Sequence, residues 1–223
     1  MRRPLRMRWG YDFIPLSRGT NCDEARPETR APPQGTATAI FLRPPLVSAR
    51  VDPGQKDLVE LKARYEDLGK ARALLAGAEH VATARQVDTY FSLGERRFKL
   101  RSIEGAREGQ LVYYERPDVG GVKESRVLLA SIPDAPAVRE ILARVLPVKA
   151  EVRKTREVYR FQGVQVHLDT VRGLGKFIEF EKVLAGESDR EAGRKQLESL
   201  RAYFQIPDDD LMASSYSDLL ASG

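Results

Sequence analysis

Six stretches of this chain alternate charged with apolar residues, and a chain that must hide one face of each such stretch has few ways to fold. The clearest is Val59-Glu60-Leu61-Lys62-Ala63-Arg64. A period of two belongs to a β-strand, whose successive side chains point to opposite faces. Val59, Leu61 and Ala63 therefore share one face, and Glu60, Lys62 and Arg64 the other. The same split sets Lys99 and Arg101 against Phe98 and Leu100, His167 and Asp169 against Val166 and Leu168, and Glu179 and Glu181 against Ile178 and Phe180. Arg116 shares a face with Tyr114, and Lys154 with Arg156.

The rest of the pattern supplies the other elements. Residues 80–92, 96–103, 110–116 and 122–131 read as strands punctuated by Gly94, Gly105, Gly109 and Gly120-Gly121. Three more are expected at about 148–160, 164–172 and 176–184, the last two joined by a turn at Gly173-Leu174-Gly175. Helical spacing brings together Leu68, Ala71, Leu74 and Leu75 within 67–78, then Val138, Ile141, Leu142 and Val145. A last helix over roughly 189–204 is expected to bury Leu197, Leu200, Tyr203 and Phe204. Eight strands and three helices follow, in a predominantly antiparallel layout.

Two architectures satisfy these faces. An open antiparallel sheet would turn its charged side to water and cover its apolar side with helices. Alternatively the sheet closes into a barrel, apolar side outward beneath the helices and charged side inward; eight strands suffice to enclose a small ligand. The pattern alone does not choose between them.

Charge must be divided along the chain before it can be interpreted. Of the formal net charge of +5, a surplus of four lies in residues 1–55, which hold nine arginines, no lysine and five acidic residues. That segment also holds eight of the thirteen prolines, the only Trp and the only Cys. It reads as a disordered Arg/Pro-rich tail, non-functional or the product of a misplaced start, in preference to a targeting extension or an arm for an acidic partner. The folded part, 56–223, is nearly neutral and has no recognised nucleic-acid motif, so nucleic acid is disfavoured as a partner. No run approaches the roughly 20 apolar residues of a membrane span, and no secretory signal is present, which points to a soluble, cytoplasmic protein. One cysteine and two histidines leave carboxylates as the main ligands for any metal.

If the charged faces point inward, they define the ligand. Lys62, Arg64, Lys99, Arg101, Arg116, Lys154 and Arg156 then meet Glu60, Asp169, Glu179 and Glu181, a surplus of three positive charges. A polyphosphate would neutralise that surplus and accept hydrogen bonds from Lys and Arg together. Its repulsion from the carboxylates is relieved by a hard divalent cation, Mg²⁺ or Mn²⁺, shared between carboxylate and phosphate oxygens.

These residues also carry a family resemblance. Glu60-x-Lys62, Phe98-Lys-Leu-Arg101, Tyr113-Tyr-Glu-Arg-Pro117, Val152-Arg-Lys-Thr-Arg156, His167-Leu-Asp169, Gly173-Leu-Gly175, Phe177-x-Glu179-x-Glu181 and Ser215-Tyr-x-Asp-Leu219 resemble the CYTH superfamily over roughly 56–221. This superfamily of triphosphate tunnel metalloenzymes contains class IV adenylyl cyclases and thiamine triphosphatases, and the wording here is most similar to the cyclase-like members. The resemblance implies an α+β fold: a closed eight-stranded antiparallel β-barrel with a charged lumen and amphipathic helices outside. It implies Glu60, Glu179, Glu181 and Asp169 as metal ligands. Lys62, Arg64, Lys99, Arg101, Arg116, Lys154 and Arg156 would grip phosphate, with Asp169, Lys62 and Arg156 nearest the chemistry. One departure matters: where the family pattern Glu-x-Glu-x-Lys begins with a carboxylate, this chain has Leu58.

Two reactions fit such a tunnel, cyclisation of ATP to cyclic AMP and pyrophosphate, and hydrolysis of inorganic, thiamine or nucleoside triphosphate. A non-catalytic polyphosphate or nucleotide binder is the reading Leu58 encourages, and homodimer formation stays open. His167 is expected to make a structural hydrogen bond. Of Tyr113, Tyr114 and Tyr159, which could stack a base, at least two are expected to pack on the outer wall.

Overall fold

The computed structural model describes residues 54–94 and 96–221; residues 1–53, nearly all of the expected tail, lie outside the described residues. The strands are β1 (Gly54–Arg64), β2 (Glu79–Leu93), β3 (Arg96–Ile103), β4 (Gly109–Glu115), β5 (Lys123–Ile132), β6 (Val148–Phe161), β7 (Val164–Val171) and β8 (Gly175–Val183). They close into a barrel in the order β1-β5-β4-β3-β2-β6-β7-β8, every neighbouring pair antiparallel. The helices are α1 (Leu68–Leu74), α2 (Ala135–Val145), α3 (Arg190–Tyr203) and α4 (Tyr216–Ala221).

The barrel is inverted relative to an ordinary protein interior, and its apolar core lies outside the wall. The outward row of β1 (Val59, Leu61, Ala63) joins those of β7 (Val164, Val166, Leu168) and β8 (Ile178, Phe180) beneath Leu68, Ala71 and Leu75 at α1 and Leu197, Leu200 and Phe204 at α3. Each Leu, Ile or Phe fully buried there contributes about 1.5–3 kcal/mol relative to exposure. On the other side α2 covers Phe91, Phe98, Leu100 and Leu111. Close approach of α3 to the wall requires Gly193, where a Cβ would stand 3.0 Å from Val59 and 3.2 Å from Leu184. The β7–β8 hairpin turns at Gly173 and Gly175, whose φ of +79° and +104° only glycine adopts easily.

Local signals set the helix starts. Asp67 accepts from Lys70 N at 2.9 Å and Asp134 from Ala137 N, satisfying N–H groups the first turns leave open. Four expectations change. Helix α1 stops at Leu74, short of 78, because the chain must turn into β2 at Glu79. Ile141 and Val145 are exposed, since α2 meets the barrel along Ala135, Val138 and Leu142 and they lie one row round. Tyr203 is half-exposed at the margin, its ring stacked on Phe161 and its hydroxyl donating to Leu74 O. Helix α4, expected only as a terminal motif, is a fourth helix.

Register decides which residues face the lumen. On β1 the inward row is Lys56, Leu58, Glu60, Lys62 and Arg64; Glu60 lies opposite Glu181 on β8 and Lys123 on β5, and Lys62 opposite Glu179. At one end Tyr90, Val152, Val171 and Phe177 are buried against Met212 and Tyr216 of the C-terminal segment, which stops that mouth. The inward rows at the opposite end finish at half-buried Lys56, Val127 and Gln165 and exposed Ser131 and Val183, so among the described residues that mouth is open.

Candidate active site

Three cations converge on one carboxylate. Asp88, fully buried on β2, accepts from Arg101 Nε at 2.8 Å and Nη2 at 3.0 Å, and from Lys99 Nζ at 3.0 Å; Lys154 Nζ lies at 3.4 Å. Burial opposes ionisation of Asp88, but the charges of Arg101, Lys99 and Lys154 overcome that and hold its pKa well below the usual range. Lys154 shares its counter-ions with several neighbours, and burial, then Arg156 beside it, pushes its pKa down to about 7.

A second group lies on β1, β6, β7 and β8. Arg156 clamps Asp169 with Nε at 2.7 Å and Nη2 at 2.6 Å, and the same Nη2 reaches Glu179 at 2.6 Å. Lys62 Nζ takes the other oxygen of Glu179 at 2.8 Å. Tyr216 of α4 donates to Asp169 at 2.9 Å, and its ring lies beneath Lys62 Nζ, 4.2 Å from the centroid. Near the opposed pair Glu60 and Glu181, Arg116 Nη1 donates to Glu60. Lys123 donates to Met212 O at 2.7 Å and Ala213 O at 2.8 Å, with its pKa lowered to about 8 by burial and then by Arg116.

Below the rim, Lys62, Lys99, Arg101, Arg116, Lys123, Lys154 and Arg156 face Glu60, Asp88, Asp169, Glu179 and Glu181, a surplus of two positive charges. Among the described residues, the buried polar atoms without a hydrogen-bond partner are Nε and Nη2 of Arg116, Oγ of Ser125 and Oε1 of Gln86 in the barrel, and Nε of Arg190 outside it. Leaving a charged group's donors unsatisfied is costly, so the two Arg116 nitrogens mark where a ligand completes the site. The surplus and the empty donors both call for an anion.

The same lumen holds a donor set for a cation. Ligand atoms of His167, Glu179 and Glu181 all lie within 4.8 Å of one another. His167 Nδ1 is 3.4 Å from Glu179 and 3.7 Å from Glu181, while Nε2 meets Gln165 Oε1 at 3.3 Å. An imidazole held by a carbonyl oxygen behind it and two carboxylates in front fits a divalent ion that keeps other positions for phosphate and water.

The sequence profile of the CYTH domain matches residues 58–216. This chain belongs to the CYTH domain family. A protein of Methanocaldococcus jannaschii named "Putative adenylate cyclase MJ0240" is 24% identical over 172 residues, covering 72% of this chain and 97% of that protein. Among solved structures, the PH1012 protein of Pyrococcus horikoshii superposes with a TM-score of 0.65 at 22% identity, covering 73% of this chain and 98% of its own. A Vibrio parahaemolyticus structure described as a putative adenylate cyclase gives 0.61 at 21%, covering 74% and 98%. The two structures establish shared fold. Family membership supports a triphosphate-binding tunnel enzyme and implies a divalent metal.

Within this CYTH barrel the residues singled out from sequence are mostly brought together. Lys62, Lys99, Arg101, Arg116, Lys154 and Arg156 line the lumen with Glu60, Asp169, Glu179 and Glu181. Arg64 does not join them; it is exposed at the stoppered end, donating to Leu174 O at 3.4 Å. Asp169 is turned to Arg156 and Tyr216, and His167, expected to be structural, stands with Glu179 and Glu181 instead. Tyr114 faces inward against Lys99 and Arg116, whereas Tyr113 and Tyr159 bond to Glu115 and Glu157. Sequence reasoning missed Asp88, Lys123 and Tyr216. Gln86-x-Asp88-x-Tyr90 was a readable polar row; Lys123 was hidden because its strand is also charged on the outside, where Arg190 and Arg194 hold Glu124.

Proposed function

We propose that the chain binds a triphosphate-bearing ligand phosphate-first in the barrel, with a divalent cation at His167, Glu179 and Glu181, and acts on it as a class IV-type adenylyl cyclase. The observation that carries the reading is Arg116: a buried guanidinium with two unpartnered nitrogens in a lumen of surplus positive charge. A divalent cation held by Glu179 would compete with Lys62 and Arg156 for that carboxylate and would leave their donors to phosphate oxygens. The cation would supply Lewis-acid stabilisation of charge on the phosphoryl oxygens, and the fixed cations the rest. In cyclisation the ribose 3′-hydroxyl would give up its proton to solvent and its oxygen would bond to the α-phosphorus as the bond from that phosphorus to the departing pyrophosphate breaks. Half-buried Val127 and Leu129 of β5 and exposed Val183 of β8, all in inward rows towards the open end, suit an organic substituent better than inorganic triphosphate. The cyclase wording in the names of the Methanocaldococcus and Vibrio relatives supports the same choice.

Leu58 favours a second reading, a metal-dependent binder without turnover. It faces the lumen at 4% exposure, opposite Ser125 and Val183 and one pair beyond Glu60. The test is product analysis with ATP and inorganic triphosphate in Mg²⁺ or Mn²⁺. Cyclic AMP with pyrophosphate supports the cyclase; orthophosphate without cyclic AMP replaces it with a hydrolase. No product from either, together with metal-dependent binding, leaves the binder. In that case Leu58→Glu, placed beside Glu60, should raise activity.

A further inference from the structure

The two ends of the barrel differ, and the difference selects a substrate class. At the stoppered end the C-terminal segment is built into the wall. Ala63 pairs with Leu211, and Met212 N donates to Lys62 O at 2.9 Å. At that end Asp218 is held by Arg97, which stands in the same inward row of β3 as Lys99 and Arg101, at 2.7 Å and by Lys149 at 2.6 Å, and Ser215 by Arg97 at 3.0 Å. Inside, Tyr216 is 2% exposed, with Lys62 Nζ 4.2 Å and Lys154 Nζ 5.4 Å from its ring centroid, so two cations end on its face. Ligand therefore enters by the other mouth, and whatever leads into the cationic zone meets a closed wall.

Resting on the triphosphate reading, we propose that Tyr216 makes this a one-ended tunnel, specific for polyphosphates whose leading phosphate is unsubstituted. Inorganic triphosphate and polyphosphate monoesters such as a nucleoside triphosphate fit, the substituent trailing at the Val183 mouth. A polyphosphate esterified at both ends, such as a dinucleoside tetraphosphate, has no free phosphate to advance. It must stop short of Lys62 and Lys154, forgoing at least two charge-assisted contacts, which corresponds to binding weaker by about a hundredfold or more.

The full chain would be titrated calorimetrically, in Mg²⁺, with inorganic triphosphate, a non-hydrolysable methylene analogue of ATP, and diadenosine tetraphosphate. The expected result is tight binding of the first two and weakening of the third by about a hundredfold or more. Equal affinity for the analogue and diadenosine tetraphosphate would overturn the one-ended tunnel while leaving the triphosphate site intact. Failure of inorganic triphosphate to bind would instead overturn the site reading, and this inference with it. Tyr216→Phe keeps the wall and should keep the discrimination. Asp218→Ala, which releases the segment from Arg97 and Lys149, should reduce it; wild-type discrimination in a folded, demonstrably loosened Asp218→Ala chain would assign the selectivity elsewhere.

Discussion

Replacing Asp88 with Asn tests whether the lumen cations are held as the structure holds them. The change keeps the shape of the side chain and removes one charge, leaving Arg101, Lys99 and Lys154 with an amide in place of their common counter-ion. Asp88 is inaccessible to water, so the solvent cannot compensate. Breaking a buried charge cluster on one side costs about 3–5 kcal/mol, a large share of the about 5–15 kcal/mol that stabilises a folded domain. For a domain of this size that corresponds to a fall in Tm of roughly 6–20 °C. Because a triphosphate offers those cations new counter-charge, it should raise the Tm of Asp88→Asn by more than it raises that of the wild type. Differential scanning calorimetry with and without inorganic triphosphate measures both. A wild-type Tm for the variant would refute the buried cluster, and equal ligand shifts would refute the link between these cations and phosphate.

Other consequences follow from the same contacts. Glu179→Gln should lower divalent-metal affinity by about tenfold or more and lower the Tm as well, since Glu179 also neutralises Lys62 and Arg156; metal titration beside thermal melts checks this, and an unchanged metal affinity or a wild-type Tm would contradict it. Lys154 and Lys123, at about 7 and 8 in the free protein, gain a phosphate partner on binding, which raises both values. Their help to affinity is complete below the free-state values and is lost as pH rises through the complex values; between the two, binding takes up protons. Calorimetry near pH 8 in buffers of different ionisation heat should therefore show net uptake, and release would contradict the assignment.

The barrel was legible because period-2 alternation survives wherever only one face of a strand is charged. Glu60 to Arg64, Lys99 to Arg101 and Glu179 to Glu181 all meet that condition, and the outer rows between them are the apolar core. Pattern could not say that the charged rows face inward, because a solvated sheet and a closed barrel impose the same alternation; closure depends on pairing β1 with β8, separated by most of the chain. Lys123 was obscured by charges on both faces of β5, and the pairing of Asp88 with Arg101 depends on the β2–β3 register. Tyr216 was readable only as part of a motif. Its position against Asp169 comes from the path of the chain after α3, which no local periodicity encodes.

The central claim is that unpartnered cation donors in the lumen are a phosphate site, and Arg116 tests it most directly. Arg116→Lys keeps the charge beside Glu60 but removes the guanidinium nitrogens that lack partners. Titrating the wild type and this variant with inorganic triphosphate in Mg²⁺ should show one-to-one binding that the substitution weakens by about tenfold or more. Unchanged affinity in Arg116→Lys, or no binding by the wild type, would contradict the account.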